Sequence, residues 1–170
     1  MAYTYSKIAS YTVGSGGIGS IDFLAIPQTY TDLALKISAR SANASNFDNP
    51  RISINGSTST FTRRELYGES GSAGSESVAD RIIGNCPAAS VTASTFGSLE
   101  FYLPNYTSSN YKSWSSDSVT ENNSATHSMW VLAGKWDTNS PINRISITLN
   151  TAANFVQYST FTLYGVKAEV

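Results

Sequence analysis

At 170 residues, with a formal net charge of −1 and only 14% charged residues, the chain suits a single domain that buries about two-thirds of its unfolded surface, and it offers no basic field to attract nucleic acid. The 28 Ser and 17 Thr take over the solubilising work of charges, a composition that with 12% aromatic residues favours strands. One cysteine, Cys86, excludes an intramolecular disulfide, and with His127 as the one histidine no Cys/His zinc site can be assembled from this chain alone, so no metal or cofactor is expected. Cys86 reads as a small buried hydrophobe. The opening MAYTYSKIASYTVGSG has no basic segment leading into an apolar run, and the longest apolar run, Met129 to Ala133, is too short to span a bilayer. The expectation is a protein made and kept in a cytoplasm, without a membrane partner.

In chain order, Tyr3 to Val13 alternates loosely and ends at Gly14-Ser-Gly-Gly-Ile-Gly19, after which Ile21, Phe23 and Ala25 alternate again, which reads as a hairpin. Gly14, Gly16 and Gly19 match G-x-G-x-x-G, but a dinucleotide site requires a helix to follow, and here a strand does. Leu33, Leu35, Ile37 and Ala39 alternate with Asp32, Ala34, Lys36, Ser38 and Arg40 as a strand. Ser41 to Pro50 reads as polar loop, Arg51 to Asn55 as a short strand, Asn55-Gly56 as a tight turn, and Thr60 to Tyr67 as a strand bearing Arg63, Arg64 and Glu65, whose two arginines suggest a solvated face before a binding site. Gly68 to Ser77 reads as a Gly/Ser-rich loop, and Val78 to Ile83 as a strand before it reads as one helical turn capped by Ser75 and stopped by Gly84. Phe96 to Leu103 puts Leu99, Phe101 and Leu103 on one face. Tyr111 to Asn122 is polar apart from Trp114 and Val119 and suits an edge strand or a surface-crossing segment.

The block His127 to Leu149 carries the strongest pattern and reads as a β-hairpin arm, with Asp137-Thr-Asn-Ser-Pro141 as its turn. In Ile142 to Asn150, Ile145, Ile147 and Leu149 share one face. In the preceding strand Met129, Val131 and Ala133 share one face and Trp130, Leu132 and Trp136 the other, so both faces want cover. After a loop holding Phe155 and Val156, Thr160 to Ala168 closes the chain with Phe161 and Leu163 on one face. About ten short strands without a long helix predict one all-β domain over residues 1–170, an antiparallel two-sheet β-sandwich of jelly-roll type with under about 10% helix.

Chemistry finds little purchase in this pattern. His127 lacks a G-x-S-x-G serine elbow elsewhere in the chain and reads as a polar strand end, and Asp117 with Glu121 reads as solvated face before it reads as a glycosidase pair. The sequons at Asn43, Asn55, Asn105 and Asn122 are close to the number that 13 Asn and this Ser/Thr content produce by chance. Trp114, Trp130 and Trp136 with ten tyrosines serve core packing first, and after that a protein interface or a sugar-stacking platform.

The segments IPQTYTDLALKISARS from Ile26 to Ser41, RISINGSTSTFTRRELYG from Arg51 to Gly68, FGSLEFYLPNY from Phe96 to Tyr106, SVTENN from Ser118 to Asn123, AGKW from Ala133 to Trp136 and STFTLYGVK from Ser159 to Lys167 together resemble a family of small virion proteins of tailed bacteriophages. The resemblance implies a virion structural component without enzymatic activity, located outside the shell or on the tail, and it transfers no catalytic residue. The expectation is a capsid decoration or cement protein that stabilises the head and is assembled in the host cytoplasm. Its partners would be further copies of itself, expected as a trimer, and the major capsid protein or other virion proteins. Interface residues expected from the sequence are Tyr3, Tyr5, Ile8, Trp130 and Trp136. The competing reading is a tail-fibre, spike or head-fibre module that stacks Tyr111 and Trp114 on host-surface glycans, and a small hydrolase built on His127 or Asp117 and Glu121 stands third.

Overall fold

The computed structural model describes residues 3–120, 122–123 and 127–168. The chain forms β1 (Tyr3–Thr12), β2 (Ser20–Phe23), β3 (Asp32–Ala39), β4 (Phe47–Asp48), β5 (Pro50–Ile54), β6 (Phe61–Glu69), β7 (Ser72–Val78), β8 (Cys86–Pro87), β9 (Gly97–Leu103), β10 (Lys112–Thr120), β11 (Ser128–Trp136), β12 (Ile145–Leu149) and β13 (Thr160–Ala168), and no helix occurs among the described residues. The all-β expectation therefore holds. Eight strands make one antiparallel sheet in the order β1-β13-β3-β9-β10-β11-β6-β7, three make a second in the order β2-β12-β5, and β4 pairs with β8.

The two sheets face each other across one apolar core. The large sheet contributes Leu33, Leu35 and Ile37 of β3, Leu99, Phe101 and Leu103 of β9, and Phe161 and Leu163 of β13; the small one contributes Ile21, Phe23, Ile52, Ile54, Ile145, Ile147 and Leu149. These are the positions that period-2 alternation assigns to the inner face, and each buried aliphatic side chain contributes about 1.5–3 kcal/mol. Strands 3, 9 and 13 are direct neighbours, with Leu35 opposite both Phe101 and Leu163, so their alternation is in phase across the sheet. The partition is eight and three strands, not the even split of a simple jelly roll.

Several local expectations are corrected. The block His127 to Leu149 is not a hairpin: β11 lies between β10 and β6 in the large sheet, whereas β12 lies between β2 and β5 in the small one. Residues 137–144 cross between the sheets. Asn55 pins this crossing: its side-chain oxygen accepts from the Asn143 and Arg144 amides at 3.0 and 3.2 Å, and its amide group donates to the Pro141 carbonyl at 2.8 Å. The N-terminal hairpin fails for the same reason, since β1 pairs with β13 in the large sheet and β2 with β12 in the small one. The Asn55-Gly56 turn is present, with both residues at positive φ and the Ser57 amide donating to Ile54 at 2.8 Å.

The segment read as Gly/Ser loop is strand β7, whereas residues 79–83 form only a bridge between Ile82 and Arg51. The supposed loop at 41–50 contains β4. Strand β10, expected at an edge, is central, paired with β9 on one side and β11 on the other. Its inner face buries Ser116, Ser118 and Thr120; the last two hydroxyls have partners, whereas Ser116 Oγ has none among the described residues. Ser118 Oγ accepts from the Asn85 amide at 3.1 Å, Asn85 Nδ2 donates to Ser128 Oγ at 2.6 Å, and Thr120 Oγ1 accepts from the Ser128 amide at 3.1 Å. Of the two arginines expected on a solvated face, Arg64 is exposed, whereas Arg63 is buried as an ion pair with Glu65, and its Nε donates to Asp80 at 2.5 Å. Cys86 is a free, buried thiol as expected, and burial pushes its pKa up.

Candidate interaction surface

Strands β6, β10 and β11 present one face to the core and the other to solvent. On the inner face Trp136 stacks against Phe61 with ring centroids 6.0 Å apart, Trp114 packs on Phe101 at 5.5 Å, and Trp130 lies between Tyr67 and the Arg63 guanidinium. Gly134 faces Trp114 directly, and a Cβ there would collide with the indole, so this strand pair requires glycine at that point.

The outer face carries what the inner face does not need. Leu66 is 65% exposed, Val131 61%, Met129 57% and Val119 43%. The ladder makes these four contiguous: Val131 is directly opposite Leu66, Met129 is opposite both Val119 and Gly68, and Ala133 is opposite Ser115 and Arg64. Cross-strand neighbours on one face lie about 4.5–5.5 Å apart, so these side chains form one aliphatic patch. Beside it lies an open depression of about 610 Å³ lined by Leu66, Val131, Ala133, Ser75, Ser77 and Ser115. Asp117, opposite Val131, and Arg64 flank the patch with opposite charges. This contiguous aliphatic face on a water-exposed sheet is the candidate interaction surface among the described residues.

The sequence-derived site residues divide between surface and core. Tyr5 is exposed on β1 and meets Tyr164 edge-on at 6.1 Å. The side chain of Tyr3 lies outside the described residues. Ile8 sits at the β1 bulge between Lys7 and Ala9, half-buried against the core. Because β1 pairs with β13 along its whole length, this segment is an integral strand and not a detachable arm. Trp136 is only 3% exposed and fills the core, which removes it from any surface role, while Trp130 is half-buried on the inner face. The glycan platform is likewise corrected: Trp114 is 3% exposed and faces inward, and Tyr111 alone stays outside, next to the Lys135 ammonium at 5.8 Å. Tyr106, just past the end of β9, is fully buried and donates its hydroxyl to the Pro27 carbonyl.

His127 is exposed, with its carbonyl accepting from the Ser70 amide at 3.1 Å. Asp117 is exposed among Val131, Glu100 and Ser115, and Glu121 lies outside the described residues. Among the described residues no group of three or more His, Cys, Asp and Glu side chains converges as a metal site would require. The exposed Leu66, missed from the sequence, sat in a stretch whose consecutive charges suggested a polar strand; its phase, shared with Arg64 and opposite to Phe61 and Tyr67, was the available signal. No protein-family model, no curated protein and no solved structure matches this chain.

Proposed function

We propose that this protein is a non-enzymatic structural component of a tailed-bacteriophage virion, a decoration protein that docks on the outside of the assembled head and stabilises the shell. The observation that carries this reading is the exposed aliphatic patch of Leu66, Val119, Met129 and Val131 on an otherwise polar sheet. A charge-poor β-sandwich with a contiguous aliphatic sheet face among its described residues acts through that face. Repetition on a symmetric lattice makes weak individual contacts additive in their effect. The family resemblance in the sequence supports the same reading, as does the Ser/Thr-rich surface. The glycan-module alternative is weaker because Trp114, its principal stacking residue, is buried.

Quantitative mass spectrometry of purified virions, with antibody labelling in the electron microscope, tests the proposal. Hundreds of copies on the head are expected, and virions lacking the protein should assemble but release DNA at a lower temperature. A handful of copies confined to the tail would transfer the protein to the appendage class, and absence from the particle would refute the proposal.

A further inference from the structure

The large sheet ends in two free edges of unlike character. At one end β1 carries the bulge between Lys7 and Ala9 together with a lysine, both of which discourage another strand from pairing. At the other end β7 pairs with β6 in unbroken register from Ser72 to Val78, contains no proline, lysine or bulge, and no described strand pairs with its outer edge. Its side chains are small, SAGSESV, with Glu76 as the one charge. A regular, exposed, unguarded edge of seven residues is a template for a further strand.

We propose that the occupant is β7 of a second copy, paired antiparallel across a two-fold axis at Ser75, so that two large sheets join into one. A two-fold axis normal to the sheet makes edge pairing antiparallel and keeps both outer faces on the same side. With Ser75 opposite Ser75 of the second copy, Gly74 faces Glu76 and Ala73 faces Ser77. This register separates the two Glu76 carboxylates, whereas one centred on Glu76 would oppose them.

It also supplies a partner for Tyr67. That ring lies over Gly74, where a Cβ would fall 2.5 Å from the hydroxyl-bearing carbon, and its phenol makes no hydrogen bond among the described residues. Glu76 of the second copy, directly across from Gly74 and on the same face, accepts from that hydroxyl, and symmetry repeats the contact. On the outer face Ser75 is opposite Leu66, which is opposite Val131. The two aliphatic patches therefore face one another across Ser75, and the depressions beside them merge into one trough. A three-fold ring would instead require β7 to meet the guarded edge β1.

This inference stands apart from the virion assignment, and its test uses the isolated protein. Sedimentation equilibrium at micromolar concentration is expected to show a dimer for the wild type and a monomer for Ser75→Lys, which sets two ammonium groups opposite each other. Circular dichroism of the variant should be unchanged. Tyr67→Phe should weaken dimerisation by about tenfold. Mild oxidation of Ser75→Cys should give a covalent dimer, and Ser77→Cys, which faces Ala73, should not. A wild-type monomer throughout the micromolar range, a trimer, or a dimer indifferent to Ser75→Lys would overturn the inference. Should Ser75→Lys misfold, failure of Ser75→Cys to cross-link would overturn it equally.

Discussion

Trp114→Ala distinguishes a core tryptophan from a ligand-stacking one. The indole is 3% exposed, rests on Phe101 at 5.5 Å and occupies the space that Gly134 leaves open. Its ring nitrogen has no hydrogen-bond partner, so truncation forfeits packing and hydrophobic burial without breaking a hydrogen bond. A buried tryptophan covers up to about 250 Å², worth about 6 kcal/mol at 25 cal/mol per Å² as an upper bound. Partial collapse of the site brings the expected cost to about 3–5 kcal/mol. For a chain of this length that corresponds to a melting temperature lower by roughly 6–20 °C. Urea denaturation followed by far-ultraviolet circular dichroism measures the change directly, and Trp114→Phe, which retains a ring on Phe101, should recover at least half of it. A cost below about 1 kcal/mol would refute the inward placement of Trp114 and restore it as a surface residue.

Two further perturbations follow from the buried polar groups. Arg63→Met leaves Glu65 without its partner inside the sheet and is expected to cost about 3–5 kcal/mol in denaturant melts, whereas Arg63→Met combined with Glu65→Leu should cost less than Arg63→Met alone; strictly additive single effects would contradict a coupled pair. For Cys86, burial raises the folded thiol above its ordinary value of 9.0, so above that pH the unfolded chain loses a proton that the folded chain keeps. The thiol's contribution to stability is complete below pH 9.0 and falls at about 1.4 kcal/mol per pH unit above it, and Cys86→Ala should remove that slope. Lys112, held below its ordinary value by burial, pulls the other way but is common to both proteins, so the difference between their melts isolates the thiol; identical alkaline limbs would refute the assignment.

Strand faces were legible where apolar residues alternate. Leu33, Leu35 and Ile37, Leu99, Phe101 and Leu103, and Ile145, Ile147 and Leu149 all point inward as their period requires. Pairing partners were not, because alternation assigns a residue to a face without naming the neighbouring strand. Consecutive strands such as β11 and β12 look like a hairpin until Asn55 is seen holding residues 141–144 as a crossing between sheets. Strand β10 was misplaced because Ser116, Ser118 and Thr120 are inner-face residues of a kind that hydrophobicity patterns assign to solvent; Asn85, distant in sequence, and Ser128, on the next strand, are what make burial of Ser118 and Thr120 tolerable. Arg63 misled for the same reason, since it is buried by pairing with Glu65 on its own strand and with Asp80, which lies beyond the β6–β7 hairpin. The need for cover on both faces of the Met129 to Trp136 strand was readable from its composition, and the outward half of that need, Met129 and Val131, is what the interaction surface displays.

The most direct test of a docking role for this face is binding to virus particles stripped of the protein. Wild-type protein and variants carrying Leu66→Lys and Val131→Lys, both at exposed positions whose substitution leaves the core intact, are incubated with such particles and the bound fraction is quantified after sedimentation. The account predicts that the wild type rebinds the head to a saturating copy number and that the double variant, folded by circular dichroism, loses at least a hundredfold in affinity. Equal binding by the two proteins would contradict it.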